Sequence, residues 1–564
     1  MSTLRRDRVP GPTRGRPPGT KPAGILTWTA PAAADVAARV AWLLRVNRLY
    51  AGDERWVRLG AFAAAFRGGL YAQGASQSKI SRWETGAVRA PYLALRRYEQ
   101  LLELPECLLV AAADTVYRYA APAASGPPTL DRGDLLAPGA ATHRALENLI
   151  EQAQSNALMS GGQWDELTGR ISATPDLVLV PRRTWALLAE RVLAEMIIAD
   201  GVPWLQRFEA LNRLLGHPVG QGAAVAALAS AAADRTNEGF VETVCALDAS
   251  RHPDASRHVL RQLVHPTNER AQYGALLACV RKVKYGHFTG HQLRDLVALV
   301  GGLLDDPGSF TDARVIAVEL LRRLPADLPG GAGQRLRRAV AGDPTLGQVL
   351  SAGRLADRET GRIVIDRLVA GATVSLARDL PRFRDEQLPV LVDEMLYDPV
   401  LDVRLYASML IYATPYRSPM AQALGAELAR ALAVRDLSLI SSILGALRFL
   451  GGPAQRPLME RLILAAGLPA EVGSTAAQHL GHIGGASDDR FWAAALARHG
   501  EGWRRQRDPT SATTLHGLVY GLGMARNDEL LHRVRGDRES PAPVRAAAAW
   551  WAGRPALIHN SARL

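Results

Sequence analysis

Between Ser76 and Glu84 the chain sets two kinds of side chain at helical spacing. Ile80 and Trp83, three apart, fall on one side of a helix, whereas Gln77, Ser78, Ser81 and Arg82 fall on the other. The chemistry open to the second set is recognition. A Gln amide pairs with adenine, an Arg fork with guanine O6 and N7, and a Ser hydroxyl with a base or a phosphate. Ser76 is a good N-cap, Gly74 can supply the positive φ of a tight turn before it, and Gly86 stops the helix. The free amides of such an N-terminus suit phosphate, with Ser76, Lys79 and Arg89 as the accompanying contacts.

Other elements must hold that helix. A first helix runs from Ala34 to Leu49 on Val36, Val40, Leu43, Leu44 and the aromatic Trp42, and Gly52-Asp53 ends it. A second apolar run, Val57, Leu59, Phe62, Phe66 and Leu70, keeps the helical period but is interrupted at Gly68-Gly69. A later helix spans Tyr92 to Leu104 with Leu93, Tyr98, Leu101 and Leu102. The string Ser76-Gln77-Ser78-Lys79-Ile80-Ser81-Arg82-Trp83-Glu84-Thr85-Gly86 resembles the recognition segment of the Cro/phage-repressor (XRE) helix-turn-helix regulators, the actinobacterial ones in particular. The resemblance covers about residues 55 to 105. It implies base contacts from Gln77, Ser78 and Arg82, structural roles for Ile80, Trp83 and Glu84, and a dimer on a two-fold site. The chain departs from the family where FRGGLYAQ replaces the usual T-Q-x-x-L-A opening, so a longer or bent positioning helix is expected.

Charge distribution points the same way. The 564 residues carry a net charge of +12, and all but four of the 67 basic residues are arginine. Residues 1–106 hold 17 Lys/Arg against 8 Asp/Glu, and the remainder 50 against 47. One end of the chain is thus built to meet a polyanion, and double-stranded DNA is the expected partner. Residues 1–30 are expected to form a disordered basic tail. Within it Arg14-Gly15-Arg16-Pro17-Pro18 resembles the core of AT-hook peptides, which implies Arg14 and Arg16 in an A·T minor groove.

Beyond a helix-turn-helix domain at 31–118, a Pro/Gly/Ala-rich linker is expected at 119–142, a helical body at 143–557 and a short tail at 558–564. The body reads as serial amphipathic helices with short breaks. Asp176–Val180 and Gly361–Ile365 are the strand candidates, and the predicted class is all-α. A D-x-x-V-R-x-x-A flavour recurs around Arg314, Arg404 and Arg545, the last two near four units of about 35 residues apart, which resembles HEAT-type repeats. Such an α-solenoid offers a concave face to a protein partner, with the arginines bridging neighbouring turns.

Catalytic residues are not expected, nor a metal or cofactor. His252, His258, His265, His287 and His291 lie in punctuated segments without an HExxH pattern, and no Gly-rich phosphate loop or nucleophile motif is present. Cys107, Cys245 and Cys279 read as buried thiols. No membrane span is predicted, so the expected location is cytoplasmic, at the nucleoid. A basic stretch with Arg251, Arg257, Arg261, Arg270, Arg281, Lys282 and Lys284 is read mainly as a solvated face. These observations favour a sequence-specific, homodimeric DNA-binding transcription regulator. The alternatives are a HEAT-like DNA-repair enzyme resembling the alkylpurine glycosylases and an interaction scaffold with an accessory DNA-binding domain.

Overall fold

Apolar residues at helical spacing build five helices at the start of the described chain: α1 (Ala33–Leu49), α2 (Leu59–Phe66), α3 (Gln77–Glu84), α4 (Tyr92–Leu101) and α5 (Leu108–Ala120). They close around Phe62, Phe66, Trp83 and Tyr98, whose rings meet at 4.9 to 5.8 Å, with Leu43, Leu44, Ile80 and Leu95 buried beside them. Aromatic pairs at such distances add about 0.5–1.5 kcal/mol each beyond the area they bury. The computed structural model describes residues 33–120, 130–136, 140–306, 309, 311–324, 332–376 and 383–564. Arg14 and Arg16 lie outside them.

The fold is all-α. The described residues form 29 α-helices and three short 3-10 helices, with no strand beyond one isolated bridge between Gly68 and Tyr71. After α5 come α6 (Ala140–Gln154), α7 (Gly161–Ser172), α8 (Arg183–Ile198) and α9 (Gly201–Gly216). From there on, many helices pack on the next or the next but one in the chain, with exceptions such as Arg358–Ser375 against Arg417–Val434. Leu437–Leu450 lies against both Arg417–Val434 and Leu401–Tyr412, and Ala470–Leu480 against Arg456–Leu464 and Pro509–Ala525. Two of the recurring arginines do the same work: Arg404 donates to the Asp398 carbonyl at 2.7 Å and Arg545 to that of Arg538 at 2.8 Å, each securing the turn before its own helix. Arg314 instead faces Asp343 at 3.9 Å.

Several local expectations change. Gly361–Ile365 is not a strand but part of the helix Arg358–Ser375, which Asp357 caps by accepting from the Glu359 and Thr360 amides. Its buried Val364, Ile365, Leu368 and Ala372 follow the helical period, which outweighs the short β-branched run. Asp176–Val180 is irregular backbone with Leu179 buried and Val178 and Val180 exposed: the alternation is real, but no partner strand lies beside it among the described residues. Tyr119, read as the first linker residue, belongs to α5 and stacks on Tyr406 at 5.1 Å. Within the same stretch Leu130 and Arg132 are buried. At the other end, Ala556–Ala562 is a helix packed on α8, and the Leu564 carbonyl accepts from the Gly161 amide at 2.9 Å.

The first five helices do not stand apart from the body. Arg39 on α1 donates to both oxygens of Glu394 at 2.7 and 2.6 Å. The Trp42 indole donates to Asp385 at 2.9 Å and the Asn47 amide to the Ala413 carbonyl at 2.8 Å. A buried lattice ties α5 to α7 and α9, in which Arg132 and Arg213 each pair with both Asp114 and Asp165. Buried ions survive when they are paired and hydrogen-bonded, and these four paired groups, drawn from separate segments, fix how those segments meet.

Candidate nucleic-acid interface

Helix α3 is short, so its ends and one face decide its position. The Ser76 hydroxyl accepts from the Lys79 amide at 3.2 Å, closing the first turn. Gly86, at φ +72°, sits against the Ala37 backbone of α1, where a Cβ would come within 3.1 Å. Ile80 and Trp83 are buried in the aromatic core. Glu84 is buried too, and Arg48 grips both its oxygens at 2.7 Å while Tyr98 donates to one at 3.0 Å. Burial beside that carboxylate pushes the Tyr98 phenol up, keeping it a donor. Arg48 also reaches the carbonyls of Trp56 and Val57, so one guanidinium joins α1, α3 and the turn before α2.

The opposite face is open. Gln77, Ser78, Lys79 and Arg82 are exposed and Ser81 is half-buried. The side chains of Gln77, Ser78 and Arg82 make no hydrogen bond or ion pair among the described residues, which leaves an amide, a hydroxyl and a guanidinium fork unspent on one helical surface. The Gln77 amide nitrogen lies 2.8 Å from where a Cβ on Gly60 would stand, so it rests over the first turn of α2. Lys79 leans back, its amine donating to the Tyr71 hydroxyl at 3.0 Å and lying over the Tyr71 and Trp83 rings. Arg89 is exposed beyond the helix, with its guanidinium over Tyr117 at 5.4 Å.

The approach to α3 differs from the expected long or bent helix. α2 ends at Phe66, and Arg97 receives it, donating to the Phe66 and Ala65 carbonyls at 3.1 and 2.7 Å. Gly68 and Gly69 then take positive φ, at +112° and +53°, and the chain turns back on itself. Tyr71 drops into the core against Phe66 at 5.3 Å and Trp83 at 6.0 Å, anchoring the 67–76 loop. Sequence reasoning missed two arginines here. Arg58, the N-cap of α2 without a side-chain cap bond, and Arg67, just past its C-terminus, are both exposed. The signal for them was basic residues at the two ends of the element preceding α3.

Elsewhere among the described residues, several clustered titratable groups are engaged with one another. Cys245, Asp248 and Asp402 lie close together and buried, but Arg281 pairs with both carboxylates, at 2.7 and 2.9 Å, and burial pushes the Cys245 thiol up. A small cavity lined by Trp204, Phe208, Phe449 and Tyr520 places carboxylates near aromatics. Those carboxylates are engaged: Asp200 with His482 at 2.9 Å, Glu242 with Arg448 at 3.8 Å and Asp402 with Arg281. His252 caps the helix Pro253–Val264, and His287 meets the Asp248 carbonyl at 3.2 Å. The basic stretch is not one solvated face. Arg281 and Lys282 are buried, Lys282 donating to the Ser250 carbonyl at 2.8 Å, and Lys284 is packed under Tyr119 and Tyr285. No helix among the described residues is long and apolar enough to cross a membrane. Compared with protein-family models, curated proteins and solved structures, the chain matches none.

Proposed function

We propose that the chain is a sequence-specific DNA-binding transcription regulator of the XRE type, with α2 and α3 as its helix-turn-helix. The observation that carries the reading is the division of α3. Ile80, Trp83 and Glu84 are locked into the core while Gln77, Ser78 and Arg82 stay exposed and unpaired. Unspent bidentate groups on a helix held from behind suit the edges of bases in a major groove. Ser81 adds a smaller contact. Ser76, Lys79 and Arg89 flank the face for phosphates, and Arg14 and Arg16 extend the contact into the minor groove.

The long helical body is a HEAT-like repeat array that mediates dimerisation, signal sensing or protein docking, and the protein works at the nucleoid. The serial packing and the matched roles of Arg404 and Arg545 support that reading.

The test is selection of bound fragments from a random DNA library at about 150 mM salt, where nonspecific phosphate binding is screened. The wild-type chain should enrich a two-fold motif. Arg82→Ala should relax preference at one position of each half-site at a cost of about 1–3 kcal/mol. Equal loss on every sequence would remove Arg82 as a reader, and no enriched motif from wild type would sink the proposal.

A further inference from the structure

A cavity of about 460 Å³ opens between α5, α9 and the segments around Asp248–Arg251 and Tyr285–His287. Its wall is mainly carbon, from Pro175, Pro218, Ala249 and the Tyr285 ring. Three of its lining side chains keep a polar atom buried without a hydrogen-bond partner; one is Asp248 Oδ2, which has the Arg281 guanidinium beside it at 2.7 Å. Arg118, exposed by 8%, spends Nε and Nη2 on Glu209 and leaves Nη1 unbonded. Asn212, exposed by 6%, donates to the Phe208 carbonyl and leaves Oδ1 unbonded. Buried polar atoms of native folds are almost always satisfied, so a donor and an acceptor left open beside one cavity point to an occupant.

The charges on the wall say what kind. Asp114 and Asp165 share Arg132 and Arg213, Glu209 pairs with Arg118, and Asp248 shares Arg281 with Asp402, with the Lys282 amine near. Arg251 is exposed and has no ion-pair partner among the described residues, so its guanidinium is free to meet an anion at the cavity wall. His287 adds no positive charge: burial, with Lys282 and Arg251 near, pulls its pKa down to about 4. The Tyr285 and His287 rings line the cavity 5.6 Å apart, tilted 43° to one another.

We propose that this cavity is a binding site for a small planar aromatic monocarboxylate, its carboxylate held by Arg251 and its ring system by the carbon walls. Two of the lining residues, Asp114 and Arg118, belong to α5, which packs on both α1 and α4. Resting on the DNA-binding reading, occupancy of the cavity is an effector signal passed through α5 to the bundle that holds α3.

The experiment titrates the full-length chain calorimetrically with 2-naphthoate and with its uncharged analogue 2-naphthalenemethanol, without DNA. Naphthoate should bind wild type roughly tenfold more tightly than the alcohol, the size of one charge-assisted hydrogen bond, and Arg251→Gln should erase the preference. No binding of naphthoate at millimolar concentration, or equal binding by wild type and Arg251→Gln, overturns the site. Repeating DNA binding with and without naphthoate tests the signal: a change in affinity in wild type and none in Arg251→Gln is expected, and an unchanged wild-type affinity overturns the effector role. Loss of the DNA reading with the calorimetric preference intact would remove the regulator and leave the binding site.

Discussion

Arg48 and Glu84 meet as two forks, nitrogen to oxygen at 2.7 Å on both prongs, joining α1 to the last residue of α3. Both side chains are almost fully buried, so neither can turn to water if the other is removed. Glu84→Ala therefore strands a guanidinium, and the expected loss is about 3–5 kcal/mol of unfolding free energy. Urea unfolding followed by tryptophan fluorescence checks it, and a change under 1 kcal/mol would mean that the pair is relaxed by water.

Arg58 and Arg67 are exposed at the two ends of α2, and on the proposed DNA-binding reading they meet phosphates. Arg58→Ala and Arg67→Ala should each weaken binding to all sequences alike and lower the slope of log affinity against log salt by about one. Fluorescence anisotropy on a selected and a scrambled duplex over a salt series measures both effects. A loss confined to the selected duplex contradicts this assignment.

The Arg39–Glu394 contact is also a buried, bidentate pair, with 8% and 15% of the side chains exposed. Glu394→Ala should cost about 3 kcal/mol and loosen α1 from the body before the rest unfolds. Hydrogen exchange in α1, faster in the variant while the segment 437–450 is unchanged, is the expected pattern. Uniform acceleration throughout would mean that the contact supports only the global fold.

Lys284 gives a pH signature. Buried between Tyr119 and Tyr285 with Arg323, Arg281 and Arg118 near, its amine is pulled down to about 7. Between pH 7 and its ordinary value near 10.5 the folded state holds fewer protons than the unfolded one, so this group makes stability rise with pH in that window. The rise is at most about 1.4 kcal/mol per pH unit. Lys284→Met should flatten it, as read from urea unfolding at pH 7 and pH 9. Equal slopes for the two proteins would place the lysine in contact with water.

The cap, face and stop of α3 were legible because each depends on residues within a few positions: Ser76, the Ile80 and Trp83 spacing, and Gly86. The end of α2 was not, because what receives it is Arg97, thirty-one residues past Phe66, and what anchors the loop is Tyr71 finding Phe66 and Trp83. The helix over Gly361–Ile365 was missed because a five-residue window carries a period-2 pattern that the full Arg358–Ser375 stretch overrides. Arg281 and Lys282 read as surface charge since nothing local announces that Asp248, Asp402 and the Ser250 carbonyl converge on them.

The clamp on α1 also sets a clock. Arg39 and Glu394 are 355 residues apart in the chain. At a synthesis rate of roughly 5–20 residues per second, the first helices leave the ribosome about 20–70 seconds before their docking surface exists. During that interval Trp42 and Arg39 have no seat, while the polar face of α3 needs only its own neighbours to form. The nascent chain thus acquires the open face of α3 before it acquires the body that holds α1, and any ligand that meets that face early meets it unrestrained.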